Sequence, residues 1–115
     1  MEEKFSIKPY LNDLEILHQT AEQIKKDFAF FSLSIVFSGN KGTAYEELCN
    51  QIGPHIKRLM ETDHQKFLSL LYRVDIPEKE MHRDTEQGMA QHLTDLIIKR
   101  CLQKVVLRKL FSKND

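Results

Sequence analysis

Apolar positions recur at helical spacing along most of the chain. Leu14, Leu17, Ala21, Ile24 and Phe28 form a stripe behind Asn12 and Asp13, either of which is a good N-cap, and they predict an amphipathic helix ending near Phe30. A second stripe starts at Tyr45 and runs through Leu48, Cys49, Ile52, Ile56, Leu59 and Met60. Its phase survives Gly53-Pro54, so the helix is expected to continue with a kink where the proline removes the bond to the Asn50 carbonyl. "ETDHQ" carries no apolar residue, and Thr62 with Gln65 reads as a capping box. A break within residues 61–64 then separates off a third helix through Phe67, Leu70, Leu71 and Val74, although the apolar phase also fits one uninterrupted helix. The polar stretch "VDIPEKEMHRDTEQG", with Pro77, predicts a connection containing one helical turn, followed by a last helix from about Asp84 to Glu86 as far as Phe111.

Between the first two stripes lies "SLSIVFS", strand-like in composition but without an alternating partner segment elsewhere in the chain. A lone strand leaves its backbone groups unpaired. It is therefore read as an extended crossover lying on the core, or as an edge that pairs with another copy. The predicted fold is an all-α, up-and-down bundle of about four main helices with this long crossover between helices one and two. Leu14, Leu17, Ile24, Phe28, Leu48, Ile52, Ile56, Leu59, Phe67, Leu71, Leu93 and Leu96 are its expected core.

"FSGNKGT" at residues 37–43 has the glycines and lysine of a phosphate loop, but Lys41 precedes Gly42 and the spacing is short of a Walker loop. Thr43 with Glu46 instead reads as a capping box behind a Gly39-Asn40 turn, and Glu46 and Glu47 in the first helical turn oppose an anion.

A chain of 115 residues is the size of one domain, so residues 1–115 are expected to form a single helical unit. Lysine plus arginine and aspartate plus glutamate both number 17, which removes a global field toward nucleic acid or an anionic membrane. "MEEKFSIKPYLND" is acidic where an export signal is basic, and "FAFFSLSIVF" is about half a membrane span. A cytoplasmic protein without a membrane partner is expected. Cys49 and Cys101 both fall in apolar patterns, which predicts two reduced core thiols.

Chemistry-bearing patterns are sparse. Glu15 with His18 and Glu61 with His64 repeat the Glu-x-x-His spacing that builds carboxylate-bridged di-iron sites in four-helix bundles. Helical projection turns Glu15 away from its stripe, however, and the second pair straddles the expected break. No inward glutamate completes the set, so no metal or other cofactor is expected. His55, His82 and His92 lack a ligand spacing and read as solvated imidazoles. Neither cysteine has a histidine at helical contact spacing, and no nucleophile elbow is present, so no catalytic residue is assigned.

The final helix is more informative because it is apolar on two sides. Met89, Leu93, Leu96, Leu107, Leu110 and Phe111 lie on one, and Ile98, Cys101, Leu102 and Val105 on the other. A peripheral helix needs only one such face, so this helix is either central or covered by a partner. The expected cover for Leu107, Leu110 and Phe111 is a second copy packed isologously; the alternative is "SLSIVFS" folded over them within one chain. Arg100, Lys104 and Arg108 form a ridge that complements the helix dipole and is the candidate surface for an anionic partner, but the aromatics that stack bases are absent and nucleic acid is not the expected partner.

"SLLYRVDIPE" together with "LTDLIIKRCLQKVVLRKLF" resembles segments of small uncharacterised bacterial proteins of helical character with no assigned activity. The resemblance covers roughly the C-terminal half. It implies a bacterial cytoplasmic setting and transfers no site residue. Three function classes follow: a protein-interaction or assembly module, which is the favoured one; a metal-dependent oxidoreductase of di-iron type; and a nucleic-acid binder using the C-terminal ridge.

Overall fold

The computed structural model describes residues 8–10, 12–39, 41–82 and 88–112. Four α-helices pack together: α1 (Leu14–Ala29), α2 (Ala44–Thr62), α3 (His64–Val74) and α4 (Met89–Ser112). Short 3-10 turns occupy Lys8–Tyr10, Lys41–Thr43 and Glu78–His82, the last supplying the single turn expected in the polar connection. Among the described residues there is no strand, so the all-helical expectation holds.

Local chemistry sets the helix ends. The Asp13 carboxylate accepts from the Ile16 amide at 3.2 Å and starts α1. At its other end the Leu33 amide reaches back to the Phe28 carbonyl at 3.0 Å, with Ser32 at φ 63 in the left-handed region. α3 ends the same way, its Ile76 amide bonded to the Leu71 carbonyl at 3.0 Å and Asp75 at φ 70. Both are C-terminal motifs usually closed by glycine, here closed by serine and aspartate.

Neither expected capping box forms. Thr43 makes no side-chain cap bond: it belongs to a 3-10 turn, and its φ of −126 and ψ of 14 lie outside the extended region a cap needs. The break between α2 and α3 falls within residues 61–64 as expected, but its cap is Asp63, which accepts from the Lys66 amide at 3.1 Å. Thr62 is still helical, and its hydroxyl donates back to the Arg58 carbonyl at 2.7 Å. α2 runs unbroken through Pro54. The start expected for the last helix, Asp84 to Glu86, lies outside the described residues; Gly88, at φ 89, accepts the first helical bond from the His92 amide and α4 begins at Met89.

α4 is the central helix and packs against each of the other three. Leu93, Ile97, Ile98, Cys101, Leu102, Val105 and Val106 are all buried, which accounts for apolar residues on more than one side. Of the expected core, ten of the twelve positions are buried and Leu96 is half-buried against the cluster. Leu14 is the exception at 40 % exposed. It is the first residue of α1 and, at ~100° per residue, lies about a quarter turn off the centre of the buried face.

Residues 33–39 connect α1 to the turn before α2 without regular secondary structure, yet they alternate as a strand does. Leu33, Ile35 and Phe37 are buried or half-buried, and Ser34, Val36 and Ser38 are exposed. Three α2 side chains pair with the backbone in place of a neighbouring strand. His55 Nε2 lies 2.8 Å from the Ser34 carbonyl, Gln51 Oε1 accepts from the Val36 amide at 3.3 Å, and Glu47 accepts from the Ser38 amide at 2.7 Å and hydroxyl at 2.9 Å. The register follows from rise alone: two extended residues advance about 6.6 Å and four helical residues about 6 Å. Positions 34, 36 and 38 thus meet 55, 51 and 47 in turn. This ladder engages three of the backbone groups on one edge of the segment, the Ser34 carbonyl and the Val36 and Ser38 amides.

Candidate assembly surface

The buried faces of α4 end before its last turns. Leu107, Leu110 and Phe111 are 42 %, 54 % and 69 % exposed, spaced i, i+3 and i+4 on one side of the helix. The connecting segment does not cover them, because it lies along α2. Four of the five basic residues of α4 are engaged within the chain. Asp75 receives Arg100 at 3.7 Å and Lys104 at 3.3 Å, Arg108 donates to Gln23 Oε1 at 3.2 Å, and Lys109 pairs with Glu15 at 3.1 Å. Two of the three ridge residues therefore share one carboxylate, that of the α3 C-cap. Arg108 bonds only a neutral amide.

A second apolar surface was not legible in the sequence. The C-terminal ends of α1 and α3 flank an open groove of about 890 Å³ lined by Phe30, Phe31, Leu68, Tyr72, Ile76 and Pro77 among others. Phe30 and Tyr72 are 67 % and 85 % exposed. Arg73 stacks 4.3 Å over the Phe30 ring and holds the buried Asp27 carboxylate at 3.0 Å, which Gln23 also bonds at 3.2 and 3.3 Å. The only sequence signal for this groove is Leu68 with Tyr72, four apart on the side of α3 away from Phe67 and Leu71.

The metal candidates do not converge. Glu15 and His18 sit on the exposed side of α1, where Glu15 takes Gln19 and Lys109 and His18 meets the edge of Phe37. Glu61 and His64 are exposed on either side of the Asp63 break, His64 against Phe67. Among the described residues no three His, Cys, Asp or Glu side chains are close enough to hold a metal.

His55 and His92 are not solvated, contrary to expectation. His55 holds the connecting segment and leans on Phe28, and His92 pairs with Glu80 at 3.1 Å, both half-buried. The His82 side chain lies outside the described residues.

Cys101 is buried and Cys49 half-buried, both as free thiols. Burial pushes the Cys101 thiol up to about 12, with the Asp27 charge adding to it. Burial and then the Asp95 charge raise Cys49 as well. The neighbouring Tyr45 hydroxyl donates to Asp95 and is held far above the usual phenol range, first by burial and then by that bond. At neutral pH these groups stay protonated, the opposite of what an activated nucleophile needs.

The "FSGNKGT" stretch divides between the end of the extended segment, to Gly39, and the 3-10 turn Lys41–Thr43. Gly39 has φ 90, and the Ser38 amide just before it goes to the chain's own Glu47 carboxylate. Asn40 lies outside the described residues. No helix among the described residues is long and apolar enough to cross a membrane. No protein-family model, curated protein or solved structure matches the chain.

Proposed function

We propose that this chain is a small assembly module without catalytic activity that acts as a homodimer through the distal face of α4 and is open to a further protein partner. The observation that carries this reading is the exposure of Leu107, Leu110 and Phe111 at the end of a helix whose other apolar positions are buried or half-buried. Three neighbouring large apolar side chains on one helical face form a contiguous patch of the kind that marks an interaction site. The flanking cations fit an interface rim, where solvent screens them. The raised thiols and scattered carboxylates lend no support to nucleophilic or metal chemistry.

The same proposal includes one domain spanning residues 1–115, an up-and-down course for its helices with residues 33–39 as the crossover, and the bacterial cytoplasmic setting implied by the resemblance. A nucleic-acid role for the Arg100, Lys104 and Arg108 ridge has less in its favour, because Asp75 holds two of its three cations. The test is sedimentation of the wild type beside Leu107→Glu with Leu110→Glu. A dimer that the double variant converts to a folded monomer is the expected result. An unchanged dimer in the variant places assembly elsewhere and overturns the role given to α4.

A further inference from the structure

The extended segment 33–39 has two edges, and the ladder from α2 pairs one of them. In a trans peptide the carbonyl and the N–H point in opposite directions. The Ser34 carbonyl, directed at His55, therefore turns the Ile35 N–H away from α2. The Val36 amide, directed at Gln51, turns the Ile35 carbonyl the same way, and the Ser38 amide does so for the Phe37 carbonyl. Among the described residues none of these three groups has a hydrogen-bond partner. Ile35 is 5 % exposed, and backbone groups at that depth are seldom left unpaired. We infer that this second edge takes an extended acidic segment of a partner protein as an added strand. The inference rests on the further partner proposed above, whose chemistry it names, and does not use the α4 dimer face.

The unpaired edge opens on a cleft of about 740 Å³ between the segment and α1, with Ile35 in its lining. On the α1 side His18, Glu22, Lys25 and Ala29 follow at i, i+4, i+7 and i+11 and make one row. Such a row is about 16 Å long, enough for about five extended residues. Added strands are held first by main-chain hydrogen bonds, and Ile35 and Phe37 offer theirs two residues apart, the repeat of a neighbouring strand.

Charge selects the occupant. Lys25, Lys26 and Arg108 line the cleft with one carboxylate, Glu22, which pairs with Lys25 at 3.4 Å. Lys26 makes no ion pair among the described residues, and Arg108 donates to neutral Gln23. The acids just beyond are matched one to one, Asp27 by Arg73 and Glu15 by Lys109. Two cations of the lining are thus left uncompensated. The "SLSIVFS" segment of a second copy has the backbone for this edge but no acid, and pairing two such edges would bring the lysines of both copies together. A nucleic-acid strand has the charge but not the alternating amides and carbonyls.

The experiment is titration with a blocked hexapeptide of alternating glutamate and valine, read by calorimetry and by amide hydrogen exchange. Saturable binding is expected, with exchange slowed at the Ile35 amide and unchanged at the Val36 amide, which is already bonded to Gln51. N-methylation of every second peptide residue is expected to abolish binding in one register and to spare it in the other. Lys25→Glu with Lys26→Glu, both on the solvent side of α1, is expected to weaken binding by about tenfold. Absence of binding, binding without slower exchange at Ile35, or equal effects of the two methylation registers overturns the added strand. A thymidine hexanucleotide or an "SLSIVFS" peptide that binds as tightly as the acidic one overturns the choice of occupant. None of these results bears on the α4 dimer, and a monomeric wild type leaves this inference standing.

Discussion

His55 Nε2 lies 2.8 Å from the carbonyl oxygen of Ser34, joining a helix to an extended segment far from it in sequence. With Gln51 on Val36 and Glu47 on Ser38, it makes a helix-to-strand ladder in which side chains stand in for a neighbouring strand. Each rung is an individual hydrogen bond, so each should be separable. Gln51→Ala is expected to cost about 0.5–1.5 kcal/mol and to speed hydrogen exchange at the Val36 amide while leaving Ser38 protected. Equal loss of protection at both amides would show the segment to be held as a unit instead.

The Arg73–Asp27 pair at 3.0 Å is the only described ion pair whose carboxylate is buried within the core. Removing the cation strands the anion, which costs more than the pair is worth. Arg73→Leu is expected to lose about 3 kcal/mol in urea unfolding, the low end for such pairs because Gln23 still bonds Asp27. Adding Asp27→Leu should recover most of it. A double variant less stable than Arg73→Leu would contradict this.

The raised thiol of Cys101 gives a signed pH dependence. Its ordinary value is 9.0 and burial moves it to about 12. Between these values the folded chain keeps a proton that the unfolded chain has released, so stability falls as pH rises. Below pH 9 the contribution is constant. Unfolding measured from pH 9 to 12 should therefore show a shallower decline in Cys101→Ala than in the wild type, by up to about 1.4 kcal/mol per pH unit. Parallel declines would place Cys101 in contact with solvent.

Gly39 and Gly88 have nearly the same backbone angle, φ 90 and φ 89, but different surroundings. A Cβ at Gly39 would lie 2.8 Å from His18 Cε1, while at Gly88 it meets nothing within 4 Å. Both Gly→Ala changes should cost about 1–2 kcal/mol from backbone strain, with Gly39→Ala the worse. His18→Ala should relieve only the excess. The measurement is the urea midpoint of each variant, and equal losses at the two sites would mean that His18 swings clear.

The helices, the break near Asp63 and most of the core are legible in the sequence because burial writes a 3.6-residue period onto each helix. Leu14 misleads because it sits at the margin of the stripe, about a quarter turn off the centre of the buried face. The capping boxes fail for a different reason. Residue types at the right spacing do not fix the backbone angles of Thr43, and Asp63 outcompetes its neighbour Thr62. His55 and His92 read as surface residues because a backbone carbonyl and a carboxylate on another element leave no local trace. The groove is tertiary in the same sense. Phe30 and Tyr72 end two helices distant in sequence, and only packing brings them to one wall. By contrast, Leu107, Leu110 and Phe111 are conspicuous because a helix already buried elsewhere does not need them.

Pairing of two copies through α4 is tested most directly by the molar mass of the wild-type chain in solution, measured by light scattering over a range of concentrations. The prediction is a species approaching twice the 13.6 kDa chain mass as concentration rises. A mass that stays at 13.6 kDa at every concentration would contradict it.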